Sequence, residues 1–164
     1  MICAISSTTN SSISLEGKSF WILKMLPISV QKIFLSKILV NLTILVPTII
    51  IGGTFFGIYL HLSLIEFIFI YLMPLSYALF ASIGGLVFNI LFPRFDYENE
   101  VRVIKQSLSV FLTIVIGLTL VIIPVAINTL DINYIMIITN FIFFIDIILM
   151  VVLYYYGERK IRSL

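Results

Sequence analysis

Asp146 is the acidic side chain that the sequence places deepest inside a long apolar run. It lies about 12 residues from the start of that run at Tyr134, which is about 18 Å along a helix. An unpaired charge at such a depth costs on the order of 3 kcal/mol to insert into a membrane. The carboxyl group is therefore expected to be neutral, to be hydrogen-bonded to another helix, or to face a wet cavity.

Two roles fit Asp146. It can be a proton or substrate site inside a membrane protein, which is the default function of an intramembrane acid. It can also be structural, forming a hydrogen bond between helices with one of the residues at matching depth, which are Thr48, Tyr77 and Thr119. We favour the structural role because the sequence offers no basic side chain at that depth.

The remaining chemical candidates are weaker. Glu66 lies about one turn from the end of its apolar run, so its carboxylate can extend to the membrane surface. His61 lies in a short turn with no second metal ligand nearby. The chain contains neither a GxxxxGK[S/T] phosphate-binding loop nor GxGxxG, and its serines, histidine and acids lie at depths too different for a hydrolase triad. The sequence therefore predicts no catalytic, cofactor-binding or metal site, and no enzyme.

Composition indicates what surrounds these residues. The chain has 164 residues, of which 61% are hydrophobic and only 11% are charged, and its mean hydropathy is +1.20. A soluble domain carries about 25% charged residues, so this chain could not cover a water-facing surface. Its single cysteine, Cys3, excludes an intrachain disulfide and a cysteine metal cluster. The sequence predicts a membrane protein without a nucleic-acid partner.

The apolar runs predict the fold class. We expect an all-α, polytopic membrane protein, because each run is long enough to cross a hydrocarbon core of about 30 Å. Pro47 and Pro74 lie inside the first two runs and are hinge candidates. The four predicted transmembrane helices are residues 38–60, 64–92, 108–127 and 134–156, preceded by a leader with surface helices, 1–37, joined by a loop, 93–107, and followed by a basic tail, 157–164.

Small residues mark where these helices approach one another. Gly53 and Gly57 form a GxxxG pattern in the first run. The second run contains a comparable face, made of Ala78, Ala81, Ser82, Gly84 and Gly85. By contrast, Asn41-Leu42-Thr43 matches a glycosylation sequon but lies inside the first run, and we interpret it as coincidence.

The placement of lysine and arginine predicts the topology. Basic residues precede the first run, occupy the loop 93–107 and follow the last run, whereas the turns at 61–63 and 128–133 have none. Such residues are enriched on the cytoplasmic side of membrane proteins. We therefore expect both termini and the loop 93–107 to be cytoplasmic.

The segment before the first run mixes polar and apolar residues. Residues 1–14 are too polar to span a membrane, and we interpret them as a leader or, alternatively, as the last turns of an earlier helix. Ser14 is expected to cap a short surface helix over residues 15–25, since serine is a preferred N-cap residue. Pro27 ends that helix, and Ser29 starts a second one that continues into the first run.

Two motifs in this chain resemble ABC-2-type transporter permeases. In that family an E-x-G-type turn, a short amphipathic helix, a Leu-Pro-Ile/Val-Ser break and a lysine precede a span on the cytoplasmic side, close to the ATPase subunit. The matching residues here are Glu16-Gly17-Lys18, Trp21-Ile22-Leu23-Lys24, Leu26-Pro27-Ile28-Ser29, Ile33 and Ser36-Lys37.

The second motif resembles the second cytoplasmic loop of Firmicute-type ABC exporters. It comprises residues 89–100, NILFPRFDYENE, and 103–107, VIKQS. The resemblance implies contact candidates for an ATPase in the first segment, namely Glu16, Gly17, Lys18, Trp21, Lys24 and Pro27. In the loop it draws attention to Asp96, Glu98, Glu100, Arg102 and Lys105.

The resemblance implies a function. The chain is expected to be the C-terminal portion of an ABC exporter membrane subunit in the bacterial cytoplasmic membrane, because such permeases have at least six spans. Its expected partners are a separate ATPase subunit and further permease helices or a second permease copy. Two alternatives stay open: a stand-alone proton-coupled transporter using Asp146, and a non-transporting immunity or assembly factor.

Overall fold

The computed structural model describes residues 8–19, 25, 28–93, 107–126, 132–157 and 159–160. The main elements are α-helices, and no strand occurs among these residues, which confirms the all-α prediction. Their bounds are α1, Val30–Tyr59; α2, Leu64–Leu91; α3, Leu108–Ala126; and α4, Ile132–Val152, with a 3-10 helix at Ser14–Ser19 and a π-helical turn at Leu153–Gly157.

Three helices are long and apolar enough to cross a membrane. They correspond to Val30–Tyr59, Leu64–Leu91 and Asn133–Gly157, whereas the apolar stretch Leu108–Ile122 of α3 is shorter. This chain is therefore a multi-pass helical membrane protein. The fourth predicted span, in α3, stays a prediction: its 19 residues rise about 28 Å, slightly less than a typical hydrocarbon core.

Helix α1 begins earlier than the predicted span. It starts after Ser29, whose backbone is extended, with φ −64° and ψ 138°, although the Ser29 side chain makes no capping hydrogen bond. From there α1 continues for 30 residues through Pro47. Helix α2 likewise continues through Pro74, so both prolines lie within unbroken helices.

Helix α2 is the centre of the bundle and contacts α1, α3 and α4. Its small-residue face, predicted from Ala78 to Gly85, is buried. One apolar cluster joins α1, α2 and the π-helical turn through Phe34, Leu86 and Leu153. A second joins α2 and α4 through Tyr77, Phe80 and Ile142.

The GxxxG face of α1 packs against aromatic rings of α2. Gly53 and Gly57 are both buried. A Cβ atom at Gly53 would lie 2.6 Å from a ring carbon of Tyr71, and one at Gly57 would meet the ring of Phe67. The pattern therefore serves packing within this chain.

These contacts predict a graded effect of alanine substitutions. We expect Gly53→Ala and Gly57→Ala each to lower the free energy of unfolding by about 1–3 kcal/mol, because the rings must move. Gly52→Ala is the matched control, since a methyl group added there would have no atom within 4 Å. It should be neutral or stabilising by up to about 1 kcal/mol, the helix-propensity difference. Unfolding in detergent measures all three, and an equal response at Gly52 and Gly57 would contradict the packing.

Candidate functional site

Most of a polar chain segment, Thr8–Ser14, is buried between the helices; Thr8 is exposed and Ser12 is half-buried. Thr9, Asn10, Ile13 and Ser14 are each at most 2% exposed. The segment consists of turns and bends that lead into the 3-10 helix. Residues 9–14 of the predicted leader are thus largely part of the interior.

Asn89 of α2 is the main attachment point for this segment, and its own side chain is fully buried. Its Oδ1 accepts hydrogen bonds from the backbone N–H groups of Ile13, at 2.9 Å, and Ser14, at 3.1 Å. Its Nδ2 donates to the Asn10 carbonyl, at 2.6 Å, and to the Ser14 hydroxyl, at 2.9 Å. The Ser14 hydroxyl, predicted as a helix cap, therefore accepts from α2.

Helices α1 and α3 complete this hydrogen-bond network. Asn41 of α1 donates to the Ser82 hydroxyl at 2.7 Å and accepts from the Thr8 backbone N–H at 3.1 Å. Ser109 of α3 donates to the Asn10 carbonyl at 2.9 Å. The segment is thus bound to three helices at once, mainly through its main-chain groups.

An ion pair connects the following 3-10 helix to α1. Lys37 Nζ lies 2.5 Å from Glu16 Oε1 and donates to the Ser12 carbonyl at 3.2 Å. Both side chains are partly buried, with 17% and 24% exposure for Lys37 and Glu16. Two residues from the first resemblance motif are therefore in direct contact.

The two asparagines of this network, Asn41 and Asn89, are not among the site residues that the sequence predicts. Asn41 belongs to the sequon interpreted as coincidence, and Asn89 only begins the second resemblance motif. The sequence contains one chemical indication of their role. Burying a side-chain amide inside an apolar run is costly unless the amide is hydrogen-bonded, so Asn41 and Asn89 each predict a buried hydrogen-bond partner. Nothing local to either residue indicates that the partner is the N-terminal segment.

Within the described part of the chain, Asp146 makes no interhelix hydrogen bond of the kind that the sequence favoured. Its side chain is 5% exposed, and neither carboxyl oxygen has a hydrogen-bond partner in the described part of the chain. The residues at matching depth are engaged elsewhere: Thr48 and Thr119 bond to carbonyls of their own helices, and the Tyr77 hydroxyl donates to the Leu120 carbonyl. None of the three residues predicted as structural partners therefore forms a hydrogen bond with Asp146.

Helix α4 places Asp146 in an apolar row facing the bundle. Ile142, one turn earlier, is 1% exposed, and Leu153, two turns later, is 3% exposed. Ile142 and Leu149 pack against Tyr77 and Phe80 of α2. An acid in such surroundings either serves as a proton site or destabilises the fold, because no local group offsets the free-energy cost of burying its carboxyl group.

Glu66 is a helix-capping residue rather than an isolated charge. Its Oε2 accepts hydrogen bonds from the Ser63 backbone N–H and hydroxyl, each at 2.8 Å. The preceding His61 has a φ of 50°, the left-handed conformation that reverses the chain between α1 and α2. A cleft of about 400 Å³ adjoins this turn and is lined by Leu60, Leu62, Glu66, Phe69, Ile70, Met73 and Ile135.

Three of the six predicted ATPase contacts, and all five residues that the resemblance marks in the loop, lie outside the described residues. Gly17 and Lys18 belong to the 3-10 helix. That helix begins at Ser14, one residue before the predicted short helix, and residues 20–24 of that prediction are not described. The candidates that lie outside the described residues are Trp21, Lys24, Pro27, Asp96, Glu98, Glu100, Arg102 and Lys105.

The described residues bring together no group of three His, Cys, Asp or Glu side chains that could hold a metal ion. No protein-family model, curated protein or solved structure matches this chain. The site is therefore interpreted from its geometry: an uncharged hydrogen-bond network that fixes the N-terminal segment, an ion pair beside it, and a buried acid on α4.

Proposed function

We propose that this chain is the membrane-spanning part of an ABC-2-type exporter that couples to a separate ATPase subunit. The proposal is supported by the multi-pass helical fold and by the resemblance of residues 16–37 and 89–107. The observation that carries it is the Glu16–Lys37 ion pair, which joins the proposed ATPase-contacting segment to α1. A movement imposed on that segment by a partner has a direct route to a membrane helix.

The proposed mechanism is alternating access. Closure of the ATPase would shift the segment 16–36, and α1 would change its tilt. The hydrogen bonds of Asn89 would pass part of that movement to α2. Each proline removes one backbone hydrogen bond from its helix, so Pro47 and Pro74 are the positions where α1 and α2 would bend.

The topology belongs to the same proposal. Both termini and the loop 93–107 would face the cytoplasm of a bacterial cell, and α3 would form the fourth span. The distribution of lysine and arginine supports this orientation, and it would put the Glu16–Lys37 ion pair at the membrane surface that an ATPase can reach.

The ion pair provides the test. In the complete permease with its ATPase, we expect Glu16→Gln to lower transport-linked ATP hydrolysis at least threefold while expression stays unchanged. The reason is that a partly buried pair orients its two elements, and removing one charge leaves the other poorly compensated. Co-purification of the ATPase and its rate of ATP hydrolysis during transport are measured together.

Lys32→Gln is the matched control, because Lys32 lies on the same helix and is exposed. It should leave the hydrolysis rate within the error of the assay. If no ATPase co-purifies with the unmodified permease, the proposed function is wrong. If Glu16→Gln and Lys32→Gln behave alike, the ion pair does not transmit movement.

A second candidate function rests on Asp146. A buried carboxyl group without a local hydrogen-bond partner suits a group that takes up and releases a proton during transport. In that case the chain would be a small proton-coupled transporter. Asp146→Asn would then abolish proton-coupled activity, whereas ABC-type transport would tolerate it.

A further inference from the structure

The contacts around the N-terminal segment resemble those of a ligand in a binding site. The helices supply side-chain amides and hydroxyls from Asn41, Asn89 and Ser109, and these bind main-chain N–H and carbonyl groups of the segment. In addition, the Thr9 hydroxyl donates to the Ala81 carbonyl at 3.3 Å. The segment occupies a crevice between α1, α2 and α3, and the described polar groups that bind it are uncharged except for Lys37 of α1, which donates to the Ser12 carbonyl.

The N-terminal segment reaches well into the helix bundle. Ala81 lies ten residues before the end of α2 at Leu91, which is about 15 Å along the helix axis. Asn89 lies near the same end of α2. The segment thus runs from the end of α2 to about half of the thickness of a hydrocarbon core of about 30 Å.

The apolar attachment of the segment is small. Ile13 is the residue of Thr8–Ser14 that belongs to an apolar cluster, where it contacts the group containing Phe34, Leu86 and Ile90. Most of the other attachments are hydrogen bonds, and replacing each of those by bonds to water costs only about 0.5–1.5 kcal/mol. Departure of the segment therefore exposes mainly polar surface.

Two buried oxygens favour that departure. The side-chain oxygen of Asn10 and Oε2 of Glu16 are buried and lack a hydrogen-bond partner among residues 8–19, 28–93, 107–126 and 132–157. A buried acceptor without a partner costs free energy that hydration would return. The docked state thus retains one unsatisfied acceptor within the segment, at Asn10, and one just after it, at Glu16.

We propose that residues 8–14 are a removable plug, which closes a hydrogen-bonding crevice between α1, α2 and α3. When the plug leaves, water reaches Asn41, Ser82, Asn89 and Ser109, and these uncharged donors and acceptors suit a small, neutral, polar solute. The plug does not depend on an ATPase partner, so it stands apart from the proposed exporter function.

The test measures access to the crevice with a thiol reagent. The full chain, with Cys3→Ser, carries Ser82→Cys as a reporter, because Ser82 is fully buried behind the plug. A small, membrane-impermeant methanethiosulfonate is the probe. We expect Ile13→Ser to raise the modification rate of this reporter at least tenfold, since it removes the apolar anchor and leaves the helices unchanged.

Two controls separate plug release from general loosening. Ile44→Ser makes the same substitution at an exposed position of α1 and should leave the rate within twofold. A reporter at Ser36→Cys, which lies at an exposed site, should react equally in every background. An unchanged rate with Ile13→Ser, or an equal rise with Ile44→Ser, would overturn the plug.

Hydrogen exchange tests the same idea without substitutions. In the unmodified chain, the backbone amides of Ile13 and Ser14 donate to Asn89, and we expect them to exchange at least tenfold faster than those of residues 41–45 in α1. Exchange as slow as that of α1 would mean that the segment is a permanent part of the bundle, and the proposal would fail.

Discussion

Asp146→Lys is expected to prevent correct assembly of the bundle, whereas Asp146→Leu is expected to stabilise it. The lysine brings a charge that costs on the order of 3 kcal/mol at this depth on insertion scales. It finds no acid to pair with, because the sequence predicts no other acidic side chain at that depth. Leucine removes a buried carboxyl group that lacks a hydrogen-bond partner among the described residues, which should return about 1–3 kcal/mol.

Asp146→Asn should lie between these two variants, because it has the same shape and no charge to desolvate. The measurement is the fraction of protein that inserts and elutes as a single species in detergent, followed by its unfolding midpoint. Asn140→Leu is the matched control on α4: Asn140 is exposed and bonds only within its own helix, to the Met136 carbonyl, in the described structure.

The three Asp146 variants also discriminate between the two functions. A stabilising Asp146→Leu that retains transport would make the acid dispensable and would remove the proton-coupled candidate. A stabilising Asp146→Leu without transport would show that the buried carboxyl group is kept for function. Tolerance of lysine equal to that of asparagine would contradict the buried position and indicate a water-filled site.

Asn89→Ala is expected to lower the free energy of unfolding by about 2–3 kcal/mol. It removes the acceptor of two buried backbone N–H groups and the donor to the Asn10 carbonyl. Each buried polar group left without a partner costs about 1–3 kcal/mol. The total stays below the sum of these costs, because the N-terminal segment can leave the crevice and hydrate its main chain.

Asn140→Ala provides the comparison, since it deletes the same amide where only a bond within its own helix is lost. It should change stability by at most about 0.5 kcal/mol, the range of ordinary surface substitutions. Denaturant unfolding in the same detergent measures both. Equal stability of the two variants would mean that Asn89 does not hold the segment.

The sequence by itself determined the class of protein and most of the helices. Long apolar runs with few charges leave a helix as the way to satisfy every backbone group in a membrane. That argument is local, so Ser29 before α1 and the turn at His61 were placed correctly. The packing role of Gly53 and Gly57 was also readable, because small residues at helical spacing permit close approach.

Tertiary structure alone decided which polar groups meet. Ile13 and Asn89 are separated by 76 positions in the chain, and no periodicity in the sequence relates them. The polarity of residues 1–14 indicated only that they do not span a membrane, yet side chains from three helices bind residues 8–14. The same reason explains Asp146: depth along α4 is set by the sequence, whereas the presence of a partner depends on how α2 and α3 pack beside it.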